Sequence, residues 1–309
     1  MHTSVGSVGL PSPVLTASGT AGHGTELEAY FDLGSIGAVV TKSLSVDPWA
    51  GNPAPRVHET PAGMINSVGL QGPGVDAWLT DELPALQATG ARVVASIWGT
   101  TVDGFAGAAE ALRGAGVVAV EVNLSCPNTE QANAGMFAQD AGATAEVMAA
   151  TAACGLPRWA KLTSNVTDVA AVAEAAVSGG AEAVVLVNTV LGMAVDADRG
   201  TYRLGSGQRG GGLSGAAIHP IALRAVHDVH RRLPAVPIVG VGGVRDGASA
   251  AAMLLVGASA VEVGTATFAD PRAPLSVQQD LARWMRARGH RCVTDLVGAI
   301  RAASGTEPG

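Results

Sequence analysis

Lysine is nearly missing from this chain of 309 residues: Lys42 and Lys161 stand alone among 19 basic residues, and arginine supplies the others. Where arginine serves almost everywhere, a retained ammonium marks a place that needs a compact point charge on a flexible stem. Aromatic residues are scarce as well. Five Trp, two Tyr and four Phe are too few to build stacking platforms, and 26 acidic against 19 basic residues give a net charge of −7, which argues against nucleic acid as a partner. The three cysteines, Cys126, Cys154 and Cys292, are odd in number and contain no CxxC pair. That excludes a disulfide framework and a zinc or iron–sulfur site, and it fits a reducing compartment. The N-terminus lacks a basic region followed by an apolar stretch, and no run reaches about 18 apolar residues. A soluble, cytoplasmic protein without a membrane span is expected. Charged residues are only 15% of the chain and hydrophobic ones 48%, with a mean hydropathy of +0.30, so disorder is excluded too. A chain of this length buries roughly three quarters of its surface on folding and needs no staples.

Short Val-rich runs alternate with Ala-rich stretches at helical spacing, the pattern of repeated βα units. Eight such runs can be counted: 37–43, 63–70, 92–99, 117–124, 158–163, 183–189, 236–242 and 259–265. Helices are predicted over 104–115, 141–154, 166–178, 218–232 and 247–256. Several strands are apolar on both faces, as a parallel sheet covered by helices requires, and eight units is the number that closes a barrel. The expected fold is therefore α/β, a single (β/α)₈ TIM barrel over residues 1–309, with an open doubly wound sheet as the runner-up. Two connections are longer than a βα loop needs, 125–142 and 190–215. Both leave the C-terminal ends of strands, the face on which barrels carry their active sites.

Polar residues gather at that face. Lys42 and Lys161 lie at or near strand ends, where the bland reading is a lysine snorkelling at the barrel mouth. Only seven Asn occur, yet Asn66, Asn123, Asn128 and Asn188 fall in or just after strand ends. A carboxamide both donates and accepts, so such a group suits a planar polar ligand, although any single Asn is more often a turn former. Cys126, in NLSCPN, opens the first long loop and could act as nucleophile or base, whereas Cys154 and Cys292 lie in helical stretches. Glycines cluster late in the chain, at 210–215, 240–244 and 263–266, where backbone amides can cradle a phosphate. No GxGxxG follows the first strand, which argues against a Rossmann nucleotide domain.

The successive motifs ASGTAGHG, GAVVTKS, GNPAPRVHETPAGMINSVGLQGPG, VEVNLSCPN, AKLTSN, LVNT, GGLSG, GVGGV and VGTATF resemble those of class 1 dihydroorotate dehydrogenases over nearly the whole chain. The ETPAGMINSVGLQ form is most similar to subtype B, the catalytic subunit that works with an electron-transfer partner. The resemblance implies an FMN-containing barrel that oxidises dihydroorotate to orotate in pyrimidine biosynthesis. It places Lys42 against both flavin and substrate, and Ser18 and Ser43 near the flavin. Asn66, Ser67, Val68, Gly69 and Leu70 fall on the substrate strand end, with Asn128, Asn188 and Thr189 completing the substrate set. Asn123 is shared by substrate and flavin, and Cys126 is the catalytic base. Lys161, Val187, Gly215, Gly242, Gly243, Gly264 and Thr265 fall on the flavin and phosphate contacts. The same resemblance implies a homodimer and a separate subunit with FAD and a [2Fe–2S] cluster. Ser96 stands where the subtype usually has a flavin-contacting Asn, Trp98 replaces a small residue, and Gly72 also replaces an Asn. Other readings of the motifs are a dihydropyrimidine dehydrogenase-like reductase, a dihydrouridine synthase, which the acidic charge disfavours, and a non-catalytic flavin-binding paralogue.

Overall fold

The computed structural model describes residues 1–125 and 136–302. Eight parallel strands form one sheet: β1 (Val14–Thr16), β2 (Val39–Val40), β3 (Val93–Ile97), β4 (Ala119–Asn123), β5 (Arg158–Lys161), β6 (Ala183–Leu186), β7 (Ile238–Val241) and β8 (Ala260–Val263). Neighbours in sequence are neighbours in space, and β8 pairs with β1. The ring closes at β1 and β2 through a parallel bridge between Leu15 and Ala38, with Gly37 N donating to Val14 O at 2.7 Å. Because β2 is so short, the Thr16 side chain supplements the ladder: its hydroxyl accepts from Val40 N at 2.8 Å and donates to Val40 O at 3.2 Å. The result is the (β/α)₈ barrel that the alternating pattern predicts.

Alternation along each strand divides the residues between two layers. Leu15, Val40, Val94, Ala119, Trp159, Val185, Val239 and Ala260 point inward, while their sequence neighbours pack outward under the helices. An N-terminal hairpin, Thr3–Val5 with Val8–Leu10, inserts Val5, Val8 and Leu10 into the inner cluster. It is tied to the starts of β6 and β8, where Ser7 donates to Glu182 and Thr3 to Ser259 O. The N-terminal half of the barrel is thus filled with apolar side chains, and polar groups are confined to the other end.

The outer layer holds helices at Val102–Ala111, Ala141–Ala150, Val169–Ser178, His219–Arg232, Gly247–Leu255 and Ala273–Ala287. Several start on an oxygen-bearing cap that satisfies an otherwise orphaned amide: Thr101 accepts from Gly104 N, Asp140 from Ala143 N, Asp168 from Ala171 N and Asp246 from Ser249 N. Their alanine content lets the helices sit close to the strands.

One strand assignment is corrected. Residues Gly63–Asn66 do not belong to the barrel; they pair with Val57–Thr60 and Gly211–Ser214 in a four-stranded antiparallel sheet completed by Val190–Gly192. The true first barrel strand, Val14–Thr16, is three residues long and follows Pro11 and Pro13, so it reads as loop. One inclusion and one omission offset each other, and the count of eight survives. The long 190–215 connection is the source of two strands of this sheet, which stands beside the C-terminal end of the barrel.

Candidate active site

A cavity opens at the C-terminal ends of the strands. Three groups of residues line it. Lys42, Asn66, Val68, Gly69, Leu70, Asn188 and Thr189 form one wall. Ser18, Ser43, Asn123, Lys161 and Val187 form the floor, and Gly215, Gly242, Gly243, Gly264 and Thr265 form the far end. These are residues the sequence nominates, brought together from β1, β2, β4, β5, β6, β7, β8 and the flanking sheet.

At the glycine end, Gly215 and Gly243 have no room for side chains. Gly243 has φ +69°, and a Cβ there would lie 2.6 Å from His219 Cβ. Gly215 has φ +95°, and its Cβ would meet Gly63 Cα at 2.6 Å. Both conformations favour glycine, and both leave bare backbone facing the cavity. Beside them Thr265 Oγ1 donates to Ser214 Oγ at 2.7 Å, and His219 Nδ1 contacts Gly242 O at 2.8 Å. A phosphate could approach this backbone without a clash.

A hydrogen-bonded network sets the amides of the floor and wall. Asn123 Nδ2 donates to Ser43 Oγ at 2.9 Å, and Asn123 Oδ1 accepts from Asn188 Nδ2 at 3.3 Å and from Ser125 N at 3.3 Å. Asn188 Nδ2 also donates to Ser125 Oγ at 3.1 Å, and Asn188 Oδ1 accepts from Thr189 N at 2.9 Å. Asn66 Oδ1 accepts from Val68 N at 3.4 Å. Each carboxamide therefore has a defined orientation before any ligand arrives. The charge on Lys42 is felt by His23, whose imidazole is held below its usual range by burial first and Lys42 second.

Below the floor lies a cluster that the sequence reading missed. Lys161 Nζ donates to Ser18 Oγ at 3.0 Å, Glu121 Oε2 at 3.2 Å and Glu262 Oε2 at 3.0 Å. Glu121 and Glu262 are wholly buried and Lys161 is 3% exposed. Burial alone lowers Lys161, but Glu121 and Glu262 reverse this, and the ammonium is held above its usual range. Glu121 and Glu262 stand two residues beyond Ala119 and Ala260, so strict alternation turns them into the barrel. That clue is present in VEVN and VEVG: a lone carboxylate in a strand apolar on both faces has to be inside and paired.

Two nominated residues stand outside the cavity wall. Ser96 is wholly buried behind Ser43, 2.9 Å away, and donates to Glu121 Oε1 at 2.8 Å. Ser67 is wholly buried next to Asn66, and its carbonyl accepts from Asn52 Nδ2 at 2.9 Å. Trp98 is buried and meets Trp49 edge to face, with ring centroids 5.4 Å apart. Cys126 and Asn128 lie outside the described residues, and the chain enters that segment from Ser125, which touches Asn188. Ser214, Met64, Thr20 and Phe268 line the cavity without having been singled out.

The donor set fits a flavin: bare glycine backbone at one end, a buried ammonium and amides in the middle, and a small amide-lined space opposite. Comparison with known proteins agrees. The family model described as dihydroorotate dehydrogenase matches residues 1–285. The catalytic subunit of dihydroorotate dehydrogenase B (NAD(+)) from Trichlorobacter lovleyi is 43% identical over 302 residues, 97% of this chain and 98% of that one. The subunit of the same name from Desulforudis audaxviator is 43% identical over 297 residues, 96% of each chain. A protein of Solibacter usitatus, provisionally named dihydroorotate dehydrogenase A (fumarate), is 45% identical over 304 residues, 97% of this chain and 98% of that one. None of these favours the reductase, synthase or non-catalytic readings of the motifs. With its nominated residues gathered on one barrel face and the match running through 285 residues, the chain belongs to the dihydroorotate dehydrogenase family, flavin-dependent oxidoreductases of pyrimidine biosynthesis.

Proposed function

We propose that this chain, as one FMN-binding domain, oxidises dihydroorotate to orotate with Cys126 as the base and passes the electrons to a separate subunit. The observation that supports this most is the junction of the glycine-lined end with Lys161 and Asn123 in one cavity. Gly215, Gly242, Gly243, Gly264 and Thr265 would hold the FMN phosphate, with Ser18, Ser43, Lys161 and Val187 against the ring system. When bound, FMN supplies the hydride acceptor.

The residues of the chain supply the rest. The Cys126 thiolate takes the proton from C5 of the substrate. Lys42, Asn66, Asn123, Asn128 and Asn188, with Val68, Gly69, Leu70 and Thr189, hold the flat ring and its carboxylate, and Ser67 supports Asn66 from behind. Lys161 offsets negative charge that grows beside it, an effect strengthened where water is excluded. Ser96 acts on the flavin site through Ser43.

For the electron acceptor, the B-type relatives carry NAD(+) and the term catalytic subunit in their names. These names support a separate electron-transfer subunit. As the motif resemblance implies, it would carry FAD and a [2Fe–2S] cluster and dock on a homodimer of this chain in the cytoplasm. No helix among the described residues is long and apolar enough to cross a membrane. The fumarate in the name of the Solibacter usitatus protein makes fumarate the second acceptor to assay. The protein should be yellow as purified, and anaerobic dihydroorotate should bleach it. A colourless protein that takes up no FMN on titration overturns the reading.

A further inference from the structure

Two carboxyl groups sit on one ammonium inside the barrel, and the chemistry above uses only the ammonium. All three hydrogens of Lys161 Nζ are committed, to Ser18, Glu121 and Glu262. If both acids were ionised, the cluster would carry a net negative charge in a space closed to water. The two acids are not equivalent. Glu121 is served on both oxygens, by Ser96 at Oε1 and Lys161 at Oε2. Glu262 is served only at Oε2, while its Oε1 is buried and receives no donor from the described residues. A proton on Glu262 removes the surplus charge and turns the orphaned carboxyl into a donor.

Among the described residues, the elements packed most closely on the Glu262 strand add no charge inside the barrel. The elements packed on β8 are β1, β7, the Thr3–Val5 strand and the helices Gly247–Leu255 and Ala273–Ala287. The first four carry no ionisable side chain, and the last carries Asp280, Arg283 and Arg286 on the outside of the barrel. Among the described residues, Lys161 and Glu121 are the charged groups that act on Glu262. Burial raises the Glu262 carboxyl, Lys161 pulls it down and Glu121 raises it again, leaving it at about 8.

Resting on the FMN reading above, we propose that Glu262 is a positioning residue that holds a proton against the Lys161–Glu121 pair and thereby couples reduction of the flavin to proton uptake by the protein. A hydride delivered to bound FMN would bring two electrons and one proton, and Lys161 would offset the one negative charge left. Below about pH 8 Glu262 already holds its proton. Above it, Glu262 is ionised in the oxidised protein and takes a proton from solvent as that negative charge appears.

The test is an anaerobic dithionite titration of the FMN-loaded protein, wild type and Glu262→Gln, from pH 6 to pH 10. Below pH 7 the two potentials should run parallel. Above pH 8 the wild-type reduction equilibrium should fall tenfold more per pH unit than that of the variant, about 30 mV for a two-electron couple. Parallel potentials over the whole range in a yellow protein overturn the coupling alone, whereas a protein that takes up no FMN overturns it together with the FMN reading. Infrared difference spectra of the flavin-free protein read the proton directly. The wild type should show a protonated carboxyl band at pH 6 that is lost on passing pH 8 and is missing in Glu262→Gln. Should Glu262→Gln not fold, Glu121→Gln serves: with one acid left on the ammonium, the band should disappear below pH 7. A band unchanged in Glu121→Gln overturns the shared-proton arrangement.

Discussion

The hydroxyls of Ser43 and Ser96 lie 2.9 Å apart and join the wall of the cavity to the buried Glu121. The directions in this chain are settled by its ends. Glu121 accepts, so Ser96 donates to it; Ser43 then donates to Ser96 and accepts from Asn123 Nδ2 at 2.9 Å. The carboxylate under the floor thus orients an amide that lines the cavity.

Ser96→Ala breaks this chain at its centre without removing any side chain from the cavity wall. Glu121 Oε1 loses its donor and Ser43 its acceptor, at a cost of about 1–3 kcal/mol for buried groups left unpaired. Urea unfolding should show that loss, together with weaker FMN binding as Asn123 is released.

Lys161→Ala is expected to be harsher than the loss of a ligand contact. It strands Glu121 and Glu262 inside the barrel, and removing one member of a buried ion pair typically costs about 3–5 kcal/mol. The stability of the flavin-free protein, measured by denaturant, should fall accordingly. Adding Glu121→Gln and Glu262→Gln should restore much of it while FMN affinity stays low.

Stability should also depend on pH through Glu262. Folding raises this carboxyl from 4.5 to about 8, so the folded state binds the proton more tightly than the unfolded chain. The resulting stabilisation is complete below pH 4.5 and is lost as the pH rises through about 8. Denaturant midpoints of the flavin-free protein should decline across that window, and Glu262→Gln should flatten the decline.

Cys126→Ala should slow flavin reduction by dihydroorotate on the order of 10² to 10⁴ while FMN stays bound. Wild-type reduction should rise with pH towards the thiol range, near 8.5 if unperturbed. Lys42→Ala should differ by impairing substrate affinity and reduction together. Stopped-flow absorbance of the flavin separates the two, and near-normal reduction by the Cys126 variant would move the proton transfer to another group.

The isolated chain should not turn over with NAD⁺. Its sequence carries neither a Rossmann fingerprint nor a cysteine cluster for an iron–sulfur centre. An anaerobic assay with dihydroorotate and NAD⁺, fumarate or a quinone in turn decides. Rapid turnover with NAD⁺ alone would remove the need for a partner, and rapid turnover with fumarate would place the chain with subtype A behaviour.

Features that depend on local order could be read along the chain. Alternating Val-rich and Ala-rich segments specify repeated βα units, since each period answers to its own backbone geometry, and eight such units close a barrel. Lys42, Asn123, Lys161 and the three glycine clusters were legible because strand ends and glycine runs are local features with one place to go. Which distant residues meet was set by the folded barrel. Val14–Thr16 is too short to announce itself as a strand and is one only because β8 and Ala38 pair with it. Gly63–Asn66 has strand character, but its partner Gly211–Ser214 draws it out of the barrel. Glu262 meets Lys161 across 101 residues, and nothing local in either strand says so. The cost of burying a charge made some partner obligatory, and closure of the barrel selected which one.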